Sequence, residues 1–102
     1  MEANKIIITG GATRIGAAIA EKLSGPGKEI VIHFNKSRSK AEKLKKELSK
    51  NNTKVYLVKG DLSVEKDVNK ILKFAKSKLK YFDCLINNAS IFENDKLENF
   101  TT

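Results

Sequence analysis

Short apolar runs alternate along this chain with longer stretches in which apolar residues return every three or four positions. The first pattern fits strands buried on both faces, the second amphipathic helices. Residues 4–9, with Ile6, Ile7 and Ile8 in succession, predict a first strand. Residues 14–24 predict a helix with Ile15, Ala18, Ile19 and Leu23 on its inner face, and Gly25-Pro26-Gly27 breaks it. Residues 29–34 predict the second strand. Residues 39–50 predict a second helix with Ala41, Leu44 and Leu48 inward and Lys40, Lys43, Lys46 and Lys50 outward, closed by Asn51-Asn52. Residues 54–59 predict the third strand. Ser63 fits an N-cap, with Lys66 standing where Glu or Gln would complete a capping box. The helix it opens runs to about Leu79, with Val64, Val68, Ile71, Leu72, Ala75 and Leu79 inward. Residues 82–87 predict a fourth strand and residues 89–102 a loop.

The order is therefore β-α-β-α-β-α-β. Strands without clean alternation, joined by helices of ten or more residues, predict an α/β fold with a parallel sheet of about four strands and flanking helices. The 102 residues allow one domain, in which folding hides only about 60–65% of the extended chain's surface. Hydrophobic residues are 40% and charged residues 31%, which excludes a chain disordered by composition. The apolar runs are too short for a membrane helix. The opening Met1-Glu2-Ala3-Asn4-Lys5 leads into no apolar leader, so the chain reads as cytoplasmic. One cysteine, Cys84, and one histidine, His33, exclude an internal disulfide framework, a cysteine-built zinc site and most other metal constellations. Cys84 reads as an inert strand thiol. His33 reads as a packing residue or backbone contact rather than an acid or base.

The net charge of +8 invites a nucleic-acid reading. The 18 Lys against 2 Arg weaken it, because phosphate and base readout favour the planar Arg fork. The lysines read mainly as a solvated surface.

The first predicted strand runs directly into Thr9-Gly10-Gly11-Ala12-Thr13-Arg14-Ile15-Gly16, which opens the first helix. Strand, glycine turn and helix N-terminus form the setting in which backbone N–H groups and the helix dipole receive a pyrophosphate. Gly10 permits the turn, and Gly16 lets helix and strands approach closely. A protein holding NAD places Asp or Glu about 20 residues further on, for the ribose 2′-hydroxyl. Here the second strand ends in His33-Phe34-Asn35-Lys36-Ser37-Arg38, without a carboxylate. Lys36 and Arg38 would attract a 2′-phosphate and Ser37 could donate to it, which favours NADPH over NADH. The alternative for this segment is a solvated basic turn. Two further segments, Gly60-Asp61-Leu62-Ser63 and Asn87-Asn88-Ala89-Ser90, follow the third and fourth strands.

Together these motifs resemble the N-terminal part of the short-chain dehydrogenase/reductase family, whose usual glycine pattern is T-G-x-x-x-G-x-G. Arg14 in place of the middle glycine, and Ser90 in place of the usual glycine of N-N-A-G, resemble its pteridine reductase branch. The resemblance spans essentially the whole chain but only about the first two-fifths of a typical member. It implies a partial Rossmann fold of strand order 3-2-1-4. It implies NADP(H) as cofactor, held by Gly10, Arg14, Ile15, Gly16, Phe34, Asn35, Lys36, Ser37, Asp61, Leu62, Asn88, Ala89 and Ser90. Asp61 and Leu62 would meet the adenine, although Asp61 could equally serve only the helix that follows. Arg14, Ser90 and Phe92 would hold a pterin-like substrate, stacked between an aromatic ring and the nicotinamide; a simple turn and a loop hydrophobe are the plain alternatives for Ser90 and Phe92.

The implied function is that of an NADPH-dependent reductase of a biopterin- or dihydrofolate-like ring. The alternatives are another short-chain reductase, such as one acting on 3-oxoacyl carriers, or a nonenzymatic remnant binding nucleotide or nucleic acid. The family's proton donor is a Tyr with a Lys four residues on, which lowers a phenol pKa otherwise near 10. Four residues after Tyr56 and Tyr81 stand Gly60 and Leu85, so no catalytic residue is assigned. The ending on Phe100-Thr101-Thr102, which suits a helix start, predicts a truncated domain that is inactive alone. It further predicts an open apolar edge at the fourth strand, marginal stability and self-association.

Overall fold

Three successive isoleucines can all be buried only where both faces of their strand are covered. The computed structural model, which describes residues 4–88, shows that arrangement. Its elements are β1 (Lys5–Thr9), α1 (Arg14–Leu23), β2 (Glu29–Phe34), α2 (Arg38–Ser49), β3 (Lys54–Lys59), α3 (Glu65–Leu79) and β4 (Cys84–Asn87). The four strands are parallel, in the order β3-β2-β1-β4. Ile6 and Ile8, with Ile30 and Ile32 beside them, face Ala20 of α1 and Leu44 and Leu48 of α2. Ile7 and Val31 point the other way, onto Ile71, Ala75 and Leu79 of α3. The period-2 alternation thus divides one apolar run between two cores.

Two inner faces differ from the helical pattern. In α1, Ile15 is 65% exposed and Ala18 is also exposed, while Gly16 and Ala20 are buried. The helix approaches the sheet along its small residues, which turns Ile15 outward beside the glycine turn. In α3, Val64 precedes the helix and Leu72 is 40% exposed. Leu72 and Leu85 line an apolar cleft of about 180 Å3 between α3 and the β1 and β4 strands. Among the described residues β4 pairs on one side only.

Ser63 does not cap α3. The Asp61 carboxylate takes both its amide and its hydroxyl, at 2.9 and 2.7 Å, and Val64 holds the cap position with no side-chain bond. Asp67, in the first turn, reaches back to accept from the Asp61 N–H at 2.8 Å. The fourth strand begins at Cys84, two residues after the predicted start at Phe82, and Asp83 just before it serves as an anchor. Its carboxylate accepts from the N–H groups of Asn4 and Lys5 at 2.9 and 3.0 Å, pinning the start of β1. These bonds hold the Asp83 carboxyl below its ordinary pKa.

Candidate functional site

Parallel strands place all their carboxyl ends on one edge of the sheet. Along that edge stand Gly10 after β1, Asn35 to Ser37 after β2, Gly60 and Asp61 after β3, and Asn88 after β4. The chain order reverses between β1 and its two neighbours β2 and β4. Such a switch point leaves a crevice at the carboxyl ends, where open α/β sheets take ligands.

The glycine turn is set by bonds from several elements. Gly10 has φ +64°, a left-handed conformation that glycine takes without a steric penalty. Its carbonyl accepts from the Thr13 amide and hydroxyl at 3.1 and 2.8 Å and from Asn88 Nδ2 at 3.3 Å. Thr13 is the N-cap of α1, and its Oγ1 accepts from the Gly16 N–H at 3.1 Å and from Asn88 Nδ2 at 2.9 Å. Asn88 is fixed in turn, its N–H donating to Thr9 Oγ1 at 3.1 Å. A Cβ at Gly16 would lie 2.4 Å from the Gly10 carbonyl oxygen and 2.7 Å from Gly11 Cα, so α1 and the turn touch backbone to backbone there. The amides of Arg14 and Ile15, in the first turn of α1, precede any intrahelical partner. Thr13, Arg14, Ile15 and Asn88 line a shallow cleft of about 200 Å3 at that helix end. A cradle of backbone donors, tightened at a position only glycine can fill, fits a diphosphate.

The tip of β2 lies beside this turn, joined to it by the Gly11 N–H donating to the His33 carbonyl at 3.0 Å. Lys36 is exposed and Asn35 and Ser37 are half-buried. Ser37 occupies the N-cap position of α2 but makes no side-chain cap bond, and the first turn of α2 has no acidic residue. The Arg38 guanidinium lies 5.2 Å from the Phe34 ring centre and 3.8 Å from Glu42. Phe34 itself is 2% exposed, packed with Ala12 and Ala41, so its ring belongs to the core. The Asp61 carboxylate is engaged with Ser63, and Leu62 is half-buried against the α3 core. A second cleft, of about 370 Å3 between α1 and α2, brings Arg14 near Lys40 and Lys43, with Glu21 and Glu47 also on its wall. Ala89, Ser90 and Phe92 lie outside the described residues.

Sequence reasoning did not find Thr9, Thr13 and Asn88 as one network, nor Asp83 as an anchor. A Thr four residues before a helical Ala and an Asn just after a strand were visible, but their joining across 75 residues was not. His33 is 2% exposed and bonds backbone atoms on both sides: its Nδ1 accepts from the Gly10 N–H at 3.0 Å, and its Nε2 lies 2.8 Å from the Gly60 carbonyl oxygen. Burial pushes the His33 pKa below 6.5, against the Gly60 bond and the Asp61 charge, which favour the cation. A depressed histidine pKa means the unfolded chain binds the proton first. Its stability contribution is therefore complete above pH 6.5 and is lost as pH falls from there through the folded value, by up to about 1.4 kcal/mol per pH unit. Urea midpoints between pH 8 and 5 should show this loss in the wild type and less of it in His33→Asn.

Comparison with known proteins agrees with this geometry. A family model described as short chain dehydrogenase matches residues 4–102. The short-chain dehydrogenase/reductase FrzI of a Cladobotryum species is 32% identical over 95 residues, which are 93% of this chain and 37% of that protein. The short-chain dehydrogenase/reductase homolog YusS of Bacillus subtilis (strain 168) is 32% identical over 89 residues, 86% of this chain and 82% of that protein. Among solved structures, FolM alternative dihydrofolate reductase 1 from Brucella canis, complexed with NADP, is similar with a TM-score of 0.74 and 33% identity, over 86% of this chain and 35% of that one. The chain thus spans little more than a third of the Cladobotryum and Brucella proteins.

Proposed function

The chain belongs to the short-chain dehydrogenase/reductase family of oxidoreductases, and from that premise we propose that it binds NADP(H) and serves the reduction of a pterin- or dihydrofolate-like ring. The observation that carries this reading is the adjacency of two patches. The backbone cradle at Gly10–Gly16 and the acid-free tip Asn35–Arg38 stand side by side on one sheet edge, joined through the Gly11–His33 bond. The first suits a pyrophosphate, and the second suits the extra phosphate of NADP. Lys36 supplies charge, Ser37 a hydroxyl not spent on capping, and the absence of Asp and Glu removes the group that selects the 2′-hydroxyl of NAD. Asp61 and Leu62, at the end of β3, are proposed to border the adenine. Arg14, exposed at the head of α1, is proposed to reach substrate and cofactor phosphates, with Ala89 and Ser90 beside the nicotinamide end and Ser90 and Phe92 as walls for the ring. The NADP-bound FolM relative supports both cofactor and substrate class.

When bound, the nicotinamide supplies the hydride; the residues of this chain bind and orient. Neither tyrosine stands at the site. Tyr81 follows α3 at the amino end of the sheet, where the Lys5 ammonium lies 4.8 Å from its ring centre, and Tyr56 pairs with Val31 in mid-sheet. Calorimetric titration should show NADPH binding at least about tenfold more tightly than NADH, the equivalent of one charge-assisted contact. Equal affinity for the two coenzymes would refute the 2′-phosphate assignment. Binding of a nucleic acid that collapses with salt, without NADPH binding, would favour a polyanion-binding remnant instead.

A further inference from the structure

The ring of His33 joins two loops that approach a dinucleotide from different strands. The Gly10 N–H can only donate, so Nδ1, 3.0 Å away, accepts and carries no proton. The Gly60 carbonyl oxygen can only accept, so Nε2, 2.8 Å away, carries the hydrogen. Two backbone groups of opposite kind thus fix one neutral tautomer. Gly10 opens the turn that faces the pyrophosphate, and Gly60 precedes Asp61 and Leu62. The backbones of the same strands are also tied, by Gly11 N–H to His33 O and Gly60 N–H to Phe34 O, each 3.0 Å. The side chain therefore adds alignment to a sheet that its backbone already holds.

We infer that His33 is a positioning residue that sets the glycine turn and the Gly60–Asp61 loop as one unit, so that the two halves of a dinucleotide meet a backbone already aligned. The inference rests on the dinucleotide reading above and adds a residue to it. It also gives the site an acid limit. A proton on Nδ1 would face the Gly10 N–H, donor against donor, and free the glycine turn while the Gly60 bond survived. The charged groups near the ring are Asp61, which favours the cation, Asp67 of α3, bonded to the Asp61 amide, and Lys59, exposed just before Gly60. From β1 the nearest polar side chain is the Thr9 hydroxyl, which donates to Asn87 Oδ1 instead.

Two isosteres separate the bonds. His33→Asn keeps an oxygen near the Nδ1 position but cannot reach Gly60; His33→Gln keeps an N–H toward Gly60 and loses the acceptor for Gly10. Each should weaken NADPH about tenfold. Adenosine 2′-monophosphate, which has no phosphate for the glycine turn and fills the adenine half alone, should change by less than about twofold, since one loop suffices to hold it. Unchanged NADPH affinity in both variants, or an equal fall for both ligands, would overturn the inference. The wild type gives a test that needs no variant. Both ligands carry the titrating 2′-phosphate, so the excess loss of NADPH affinity on acidification below pH 6.5 belongs to the protein, and equal slopes would overturn the inference. If the wild type binds neither ligand, the dinucleotide reading itself fails. A long-range nitrogen–proton spectrum then still reads His33, where a proton on Nδ1 at pH 7.5 would contradict the bridge independently.

Discussion

Replacing Gly16 by alanine should abolish coenzyme binding and cost the fold about 3 kcal/mol, the upper part of the usual range for overpacking. Helix propensity alone argues the reverse. An alanine inside a helix is favoured over glycine by about 1 kcal/mol, so an uncrowded site would gain stability. The neighbours of Gly16 decide the sign. The added Cβ would sit 2.4 Å from the Gly10 carbonyl oxygen, 2.7 Å from Gly11 Cα and 2.9 Å from Asn88 Nδ2. Two of the three are backbone atoms of the glycine turn, and the third belongs to the side chain bracing it. Relief requires α1 to move away from β1, which opens the cradle. Tm in a domain of this size should fall by about 10–20 °C, and NADPH should no longer restore it. A Gly16→Ala protein that melts higher than the wild type would show that α1 does not press on the turn.

Reversing the charge of Lys36 should produce the second largest effect, and it should fall on one coenzyme. Lys36→Glu places a carboxylate where NAD-selective sites carry one. NADPH affinity should drop roughly 30-fold through loss of a charge-assisted contact and new repulsion. NADH affinity should stay level or rise, and Tm should hold, because Lys36 is exposed. Added salt should shrink the difference, as screening acts on an exposed pair. Parallel losses for the two coenzymes would mean that Lys36 contributes a general attraction and not selection of the 2′-phosphate.

The sheet was readable because its code is local. Runs such as Ile6-Ile7-Ile8 name buried strands, and helical spacing in Ala41, Leu44 and Leu48 names a buried face. The glycine turn was readable because strand, turn and helix adjoin in sequence. Three things were not. Periodicity places the apolar Ile15 inward, whereas α1 packs through Gly16 and Ala20; side-chain size, invisible to periodicity, sets which face can approach. Ser63 has the right chemistry for a cap, but Asp61, two residues earlier, competes for the same hydroxyl and amide. The bridge through His33 depends on two loops brought together by strand pairing, which no short window contains. The residues that would carry a substrate, Ser90 and Phe92, rest on the resemblance and fall outside the described residues.

Everything proposed depends on one coenzyme spanning the Gly10–Gly16 turn and the Asn35–Arg38 tip at once. Backbone amide shifts recorded during NADPH titration read both patches in a single experiment. The account predicts that Gly10 to Gly16 and Lys36 to Arg38 shift together with one affinity. Shifts confined to one patch, or centred on the lysines of α3 at the far side of the sheet, would contradict it.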